Sequence, residues 1–282
     1  SHLEKPTIFP RTVMTKKLGY QRIVYSKERA LEHFIESDFI DCRINAYPAL
    51  KEGATWIPEL LFIDLDLSNF NTKKSLQIGL DKTLKSIKEK LGNNAHPTIL
   101  WSGNGYHIIL PVFCPMELEG IQDFQEFDNP SERFLRFAKD NLSNNKADKA
   151  NNPSFRSCLL RIPHSFNAKC LAKGESFENS KVKIIQEWNK DRPSIKFLLL
   201  DFRRYLINHK ITELNKKKEI EERLAIKSNS TNIFWIEKLL NTPISDFRKN
   251  ATNLILAPYL VNIKKLSYQQ SFDILTEWLK KC

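Results

Sequence analysis

Two aspartates at the end of an apolar run are the residues best suited to hold a metal ion. Residues 60–63 predict a buried strand that leads directly into Asp64 and Asp66. Side chains at positions i and i+2 of a strand point to the same face, so both carboxylates can bind one or two divalent cations at the strand end. Such a pair supports two-metal phosphoryl chemistry. Metal-dependent nucleases and glycosyltransferases are alternatives, as are incidental surface carboxylates.

A glycine-rich turn at residues 102–105 forms the second candidate element. It contains Ser102 and Gly103, includes an Asn-Gly pair typical of hairpins, and leads to His107. Glycines let backbone amides approach an anion. His107 has apolar neighbours, so it is either a hydrogen-bonded core residue or a ligand-binding one. A rolling-circle nuclease would need a second histidine at position 109, which is isoleucine.

The third candidate element begins at Asp148 and continues through a short predicted strand. Arg161 ends that strand, and Asn167 and Lys169 follow it. An arginine and a lysine at this position can neutralise a triphosphate. A solvated basic loop is the alternative if the segment stands alone.

Composition indicates the class of partner. Lys and Arg outnumber Asp and Glu by 44 to 33, a net charge of +11 that favours nucleic acid, nucleotides or an anionic membrane surface. No stretch has the apolar length needed to span a bilayer, so no membrane partner is expected. The five cysteines are scattered without a CxxC pair, which predicts no zinc site and a reducing, cytoplasmic setting.

Hydrophobic periodicity predicts the elements that carry these residues. Helices are expected at residues 27–35, 72–91, 131–142 and 195–207. Besides the strand leading to Asp64, strands are expected at residues 98–101, 106–112, 158–162 and 182–185. The pattern predicts an α+β fold with mixed or antiparallel sheets and flanking helices.

The chain divides into three predicted parts. Residues 1–207 form the large domain, residues 208–230 a charged helix or linker running into a flexible joint, and residues 231–282 a small helical domain. Thr242 and Pro243 predict a helix start, and Ser267 with Gln270 has the spacing of a capping box. The expected core of the small domain is Leu240, Leu254, Leu260, Phe272, Leu275 and Trp278.

Taken in order, the three elements resemble the motifs of the archaeo-eukaryotic primase superfamily over about residues 40–205. The resemblance is closest to primase-polymerases of archaea and their mobile elements, such as plasmids. It implies that Asp64, Asp66 and Asp148 bind two Mg²⁺ or Mn²⁺ ions. It further implies that the incoming nucleotide is bound by Ser102, Gly103, His107, Arg161, Asn167 and Lys169. Where the family often has glycine after Ile-Pro, this chain has His164.

Residues 231–282 resemble the small accessory X subunit of archaeal primase. The resemblance rests on Trp235 to Leu240, Thr242-Pro243-Ile244 and Ala257 to Leu260. It implies a helical module that holds the template or the initiating nucleotide, with Arg248, Lys249, Lys264 and Lys265 as the candidate template-binding residues. A purely structural cap is the alternative.

The two resemblances imply a DNA primase-polymerase that transfers nucleotides from nucleoside triphosphates under the direction of a single-stranded DNA template. Further domains or a helicase beyond Cys282 are candidate additional partners. Two other functions stay open on the sequence: a metal-dependent nuclease, and a non-catalytic replication protein that binds single-stranded DNA.

Overall fold

The computed structural model describes residues 9–49, 56–227 and 233–282, without the side chains of residues 221–227. Contacts divide the chain into two units, Ser1–Ile207 and Asn208–Cys282. The described residues form an α+β fold with two four-stranded sheets and a helical C-terminal region. No helix in these ranges is both long enough and apolar enough to cross a bilayer.

The first sheet has the strand order β2-β1-β3-β7 and is antiparallel throughout. Its strands are β1 (Arg11–Met14), β2 (Arg22–Val24), β3 (Arg43–Pro48) and β7 (Leu159–Arg161). Helix α1 (Lys27–Glu36) is capped by Ser26 and buries Ala30 and Phe34 with the sheet. Only α1 and β7 were predicted. The three N-terminal strands show no clear alternation, since β2 is mostly exposed and β3 is buried along most of its length.

The second sheet has the order β4-β6-β5-β8 and is also antiparallel. Its strands are β4 (Leu60–Asp66), β5 (Thr98–Trp101), β6 (Gly105–Pro111) and β8 (Lys183–Gln186). Strand β4 runs through both aspartates, and its register places Asp64 opposite His107 and Asp66 opposite Gly105. The predicted hairpin is therefore confirmed as β5–β6 around residues 102–104.

Helices cover the second sheet and complete the larger core. They include α2 (Lys73–Leu91), capped by Thr72, and α3 (Pro130–Leu142). Two short helices follow β7, α4 (Ala168–Ala172) and α5 (Phe177–Ser180). Helix α6 (Lys196–Lys227) starts where the sequence predicts. It continues through the predicted linker as far as Lys227, because its sequence contains neither glycine nor proline. The predicted flexible joint at residues 228–232 lies outside the described residues.

The second unit has a separate core of Ile236, Ala251, Leu256, Tyr259, Leu260 and Trp278. Helix α7 (Phe234–Asn241) and α9 (Tyr268–Lys281), with its predicted capping box at Ser267, flank a middle helical stretch. That stretch starts with α8 (Arg248–Asn250) and passes through π-helical turns at Ala251–Leu256 and Tyr259–Ile263.

Two sequence expectations for this unit are wrong. No helix starts at Thr242 and Pro243. Thr242 is the C-cap of α7, and a proline directly after a helix acts as a stop. Leu254 and Phe272 are 73% and 52% exposed rather than in the core. For Leu254 the reason is the π-helical turns, which break the 3.6-residue periodicity used to assign it.

Candidate active site between the two sheets

A cleft of about 480 Å³ lies where the two sheets of the first unit face each other. Strands β4 and β6 supply one wall, and strands β3 and β7 supply the other. The cleft brings together eight of the nine residues expected there from the sequence: Asp64, Asp66, Ser102, His107, Asp148, Arg161, Asn167 and Lys169. Gly103 lies in the turn but does not line the cleft. Eight further residues line the cleft: Arg43, Phe62, Asn104, Ala150, Asn151, Asn152, Ser157 and Leu159.

Asp64 and Asp66 form the acidic wall of the cleft, and the carboxyl group of Asp64 has a raised pKa. Burial raises the pKa of Asp64 to about 7, and the negative charges of Asp66 and Asp148 act in the same direction. Its side chain contacts the amide of Asn151, with Nδ2 and Oδ2 3.5 Å apart. The ionised form of this carboxylate is therefore unfavourable until a cation comes close.

Asp66 is held in a fixed orientation at the end of β4. Its Oδ1 accepts hydrogen bonds from the backbone N–H of Ser68 at 2.8 Å and from Nδ2 of Asn104 at 3.0 Å. Burial acts to raise its pKa, but these hydrogen bonds and the charge of Lys169 outweigh burial, so the pKa is lowered. Asp66 is thus an ionised carboxylate beside Asp64, whose raised pKa makes its ionised form less favourable.

Asp148 reaches the cleft from a loop bonded to β4. Its backbone N–H donates to the carbonyl oxygen of Asp64 at 2.8 Å. Its carboxylate Oδ1 accepts a hydrogen bond from the N–H of Ala150 at 3.0 Å. The backbone of Asp148 is therefore fixed next to Asp64, while its carboxylate caps a local turn at the cleft wall.

His107 is a buried, neutral imidazole. Burial lowers its pKa to about 3, and the positive charges of Arg161 and Arg43 lower it further. Its Nε2 lies 3.6 Å from Oδ1 of Asp64, so this contact is neither an ion pair nor a hydrogen bond of normal length. Its buried Nδ1 has no hydrogen-bond partner in the described part of the chain. His107 is thus not a fully satisfied core histidine.

The opposite wall is basic and contains two arginines around one aspartate. Arg43 and Arg161 are directly opposite each other in the β3–β7 register. Nη1 of Arg161 donates to Oδ1 of Asp41 at 2.7 Å, and the N–H of Ala168 donates to the same oxygen at 3.2 Å. Burial acts to raise the pKa of Asp41, but its contacts with Arg161 outweigh burial, and the pKa is lowered. Arg161 is therefore engaged by Asp41.

Arg43 has no comparable partner. Its closest acidic contact joins Nη2 to Oδ1 of Asp41 at 4.0 Å, and its buried Nε has no hydrogen-bond partner among the described residues. Burial and the charge of Arg161 lower the pKa of Arg43. Two guanidinium groups thus share one carboxylate, which leaves excess positive charge on this wall. An anion in the cleft would compensate it.

The turn at the mouth of the cleft is held from α4. Nδ2 of Asn167 donates to the carbonyl oxygen of Ser102 at 2.6 Å, and Oδ1 of Asn167 accepts from the N–H of Lys169 at 3.0 Å. Gly103 has φ +89°, and a Cβ there would lie 2.8 Å from Sγ of Cys170. These contacts fix the turn and leave the Lys169 side chain exposed at the cleft. His164 has φ +66°, a region that favours glycine, and it does not line the cleft.

The donor set suits a hard divalent cation. Mg²⁺ and Mn²⁺ prefer oxygen ligands, and a cation here would relieve the repulsion that disfavours ionised Asp64. In the described ranges, no three or more His, Cys, Asp or Glu side chains are gathered closely enough to hold an ion as they stand. Asp64 and Asp66 therefore form the centre of the candidate site, and Asp148 lies at its edge.

The four candidate template-binding residues of the second unit differ in exposure. Arg248, Lys249 and Lys265 are exposed. Lys264 is instead ion-paired, with Nζ 2.5 Å from Oε1 of Glu237, and its Nζ lies over the ring of Tyr259 at 5.6 Å. Three of the four candidate residues are therefore exposed, and Lys264 is engaged within the unit.

Comparison with known proteins places only the C-terminal part in a family. Residues 227–282 match the model of the Primase X family. This agrees with the resemblance of that segment to the accessory X subunit, and it gives the chain a primase-related replication module. No curated protein and no solved structure matches the chain.

Proposed function

We propose that the chain is a DNA primase-polymerase whose catalytic centre is the cleft between the two sheets. The observation that carries the proposal is the pairing of an acidic wall, Asp64 and Asp66, with a basic wall containing Arg43 and Arg161. A nucleoside triphosphate with its divalent cations has the matching charge pattern. The Primase X match of residues 227–282 supports a role in primer synthesis on a DNA template.

The proposed reaction is nucleotidyl transfer. The 3′-hydroxyl of a primer end or of a first nucleotide attacks the α-phosphorus of a nucleoside triphosphate. A new phosphorus–oxygen bond forms, the bond to pyrophosphate breaks, and pyrophosphate leaves. Two Mg²⁺ or Mn²⁺ ions bound by Asp64 and Asp66, with Asp148 at the edge, would activate the hydroxyl and offset the developing charge.

The residues of the chain have distinct proposed tasks in this reaction. Arg43 and Lys169 contact the triphosphate from the basic wall, and Arg161 keeps Asp41 ionised and in place. His107 lies beside Asp64 as a neutral imidazole, with Nε2 3.6 Å from Oδ1, and supports the acidic wall. Asn167 holds the Ser102 turn so that its backbone stays at the mouth of the cleft. In the second unit, Arg248, Lys249 and Lys265 contact the template strand.

A non-catalytic replication protein is the second candidate. It is favoured by the fact that the family match covers the accessory module and not the cleft. A metal-dependent nuclease would use the same acidic wall, with Arg43 contacting the phosphodiester, and it differs from the proposal in degrading the strand.

Nucleotide incorporation tests the proposal. The full chain is incubated with labelled ribo- or deoxynucleotides, primed and unprimed single-stranded DNA, and Mg²⁺ or Mn²⁺. We expect incorporation by the wild type and a loss of at least about a hundredfold in Asp64→Asn and Asp66→Asn, because metal stabilisation of the transition state is worth several kcal/mol. DNA binding should be nearly unchanged in both variants, since cationic residues bind the strand.

Asp128→Asn is the matched control, because Asp128 is an exposed carboxylate outside the cleft. It should retain wild-type incorporation. A wild-type chain that binds single-stranded DNA but incorporates no nucleotide with either ion would support the non-catalytic alternative. Degradation of the template that depends on Asp64 would support the nuclease.

A further inference from the structure

A buried lysine on α3 lies next to the acidic wall. Lys139 is 3% exposed. Its Nζ donates to the carbonyl oxygen of Asn151 at 2.8 Å and to that of Asp148 at 3.2 Å. Nζ also lies 3.3 Å from Oδ1 of Asp140, a carboxylate that is about half exposed. Burying an ammonium group costs free energy unless its N–H donors are hydrogen-bonded. These contacts therefore allow Lys139 to be buried here.

The loop that Lys139 binds, residues 148–151, is also hydrogen-bonded to strand β4. The N–H of Asp148 donates to the carbonyl oxygen of Asp64 at 2.8 Å, and the N–H of Asn151 donates to the carbonyl oxygen of Asp148 at 3.2 Å. The side-chain amide of Asn151 reaches the carboxylate of Asp64. The turn at residues 148–151 is therefore held between β4 and a single ammonium group.

We propose that Lys139 is a positioning residue, which holds Asp148 and Asn151 against Asp64 and thereby sets the affinity of the acidic wall for a divalent cation. This inference rests on the proposed function, since it takes the acidic wall to be the metal site. Lys139 itself faces backbone carbonyls and does not line the cleft.

The chemistry of the contact favours a positioning role over simple core packing. An apolar side chain of similar length would fill the same space without the cost of burying a charge. Only a side chain with several donors can bond two carbonyl oxygens of one turn. Residues that orient metal ligands typically change metal affinity by about 10- to 100-fold when they are replaced.

The test compares Lys139→Met with Lys149→Met in the full chain. Lys149 directly follows Asp148 and is exposed, so its replacement removes one positive charge from the same loop without removing a buried hydrogen bond. Mn²⁺ affinity is measured by titration with electron paramagnetic resonance of the free ion. Hydrogen exchange is measured for residues 144–152, and unfolding temperature is recorded for each protein.

We expect Lys139→Met to weaken Mn²⁺ binding by about 10- to 100-fold and to speed exchange of the Asp148 and Asn151 amides, whereas Lys149→Met changes neither. A structural role alone would lower the unfolding temperature and leave Mn²⁺ affinity unchanged. A folded Lys139→Met protein with wild-type Mn²⁺ affinity and wild-type exchange overturns the proposal.

Two further measurements keep the test decisive if Lys139→Met does not fold. Lys139→Gln, which retains an amide donor, is compared with the wild type by its Mn²⁺ affinity and by the hydrogen exchange of the Asp148 and Asn151 amides. In the wild type, Mn²⁺ should slow exchange at residues 144–152, and the absence of any slowing overturns the proposal.

The positioning role and the polymerase function can fail separately. A wild type whose Mn²⁺ affinity depends on Lys139 but which incorporates no nucleotide contradicts the polymerase function alone. A wild type that incorporates nucleotides while Lys139→Met binds Mn²⁺ normally contradicts the positioning role alone.

Discussion

The two arginines of the cleft differ in what their guanidinium groups contact. Arg161 is 7% exposed and bonded to Asp41. Nε of Arg43 has no hydrogen-bond partner in the part of the chain that the structure describes, and its Nη2 lies 4.0 Å from Oδ1 of Asp41. A guanidinium engaged by a carboxylate has fewer donors left for a ligand. The residue selected from the sequence, Arg161, therefore organises the wall, and Arg43 has the donors that a phosphate group needs.

Substitution of each arginine by alanine should separate these tasks. Arg43→Ala should raise the KM for the nucleotide by about 10- to 100-fold, the equivalent of about 1.5–3 kcal/mol for a lost charge-assisted contact, with little change in unfolding temperature. Arg161→Ala should mainly destabilise the fold, because it leaves Asp41 without its partner. The cost is below the roughly 3–5 kcal/mol of a fully buried pair, since Asp41 is 22% exposed.

Steady-state kinetics at varied nucleotide concentration and thermal unfolding of both variants measure the difference. Arg22→Ala is the control, because Arg22 is an exposed arginine of the same sheet outside the cleft. An unchanged KM in Arg43→Ala, together with a raised KM in a folded Arg161→Ala, would reverse the assignment.

At the scale of elements, the β4–β6 pairing depends on one glycine. Gly105 lies opposite Asp66, and a Cβ at Gly105 would lie 2.2 Å from the carbonyl oxygen of Leu65 and 2.9 Å from the Cα of Asp66. No side chain rotation can relieve a clash between a Cβ and the neighbouring backbone. The strands could accept a larger residue only by moving apart at Asp66.

Gly105→Ala should therefore lower both stability and incorporation. We expect a loss of about 1–3 kcal/mol or more in the free energy of unfolding and a lower kcat, because Asp66 is displaced with its strand. Gly120→Ala is the control, since its Cβ would meet no atom closer than 3.9 Å. Denaturant unfolding and primer extension measure both effects. Wild-type stability and kcat in Gly105→Ala would contradict the close approach of Gly105 to the backbone of Leu65 and Asp66.

Elements were predictable from the sequence where their pattern is local. Helix α1 and strand β5 lie within a residue or two of the predicted ranges, because a run of apolar residues at a fixed period is enough to identify them. The partners across the cleft were not predictable in this way. Arg43 meets Arg161 only because β3 pairs with β7, and no local pattern connects positions so far apart.

The same limit explains which site residues were found from the sequence. Asp64 and Asp66 could be identified because the run before them and their i, i+2 spacing are features of one strand. Lys139 and Arg43 depend on contacts between elements, so the sequence presents each as an ordinary charged residue. For the basic wall, the sequence indicated Arg161 and Lys169, which end and follow one short strand, but not Arg43, which lies on another strand.

At the scale of the whole molecule, the two units carry different parts of the proposed activity. The cleft belongs entirely to the first unit, and the Primase X match, residues 227–282, lies entirely in the second. The second unit has its own core around Trp278, whose Nε1 donates to the carbonyl oxygen of Leu239 at 2.9 Å. A module with its own core can be removed without opening the core of the first unit.

Deletion of residues 232–282 should separate starting a chain from extending one. Extension has a primer–template duplex to hold the reacting end, whereas the first bond requires two nucleotides to be held on a single strand. On the proposed function, a tethered module with exposed Arg248, Lys249 and Lys265 would supply a second weak site at high effective concentration for that step. We expect the shortened chain to extend a supplied primer within about threefold of the wild type and to start new chains at least tenfold more slowly, which corresponds to about 1.4 kcal/mol of lost binding.

The full-length variant Arg248→Ala/Lys249→Ala should show the same defect in milder form. Primer extension, unprimed synthesis and unfolding temperature are measured on all three proteins. If the shortened chain melts much earlier and loses both activities together, the module stabilises the first unit and has no separate role in initiation.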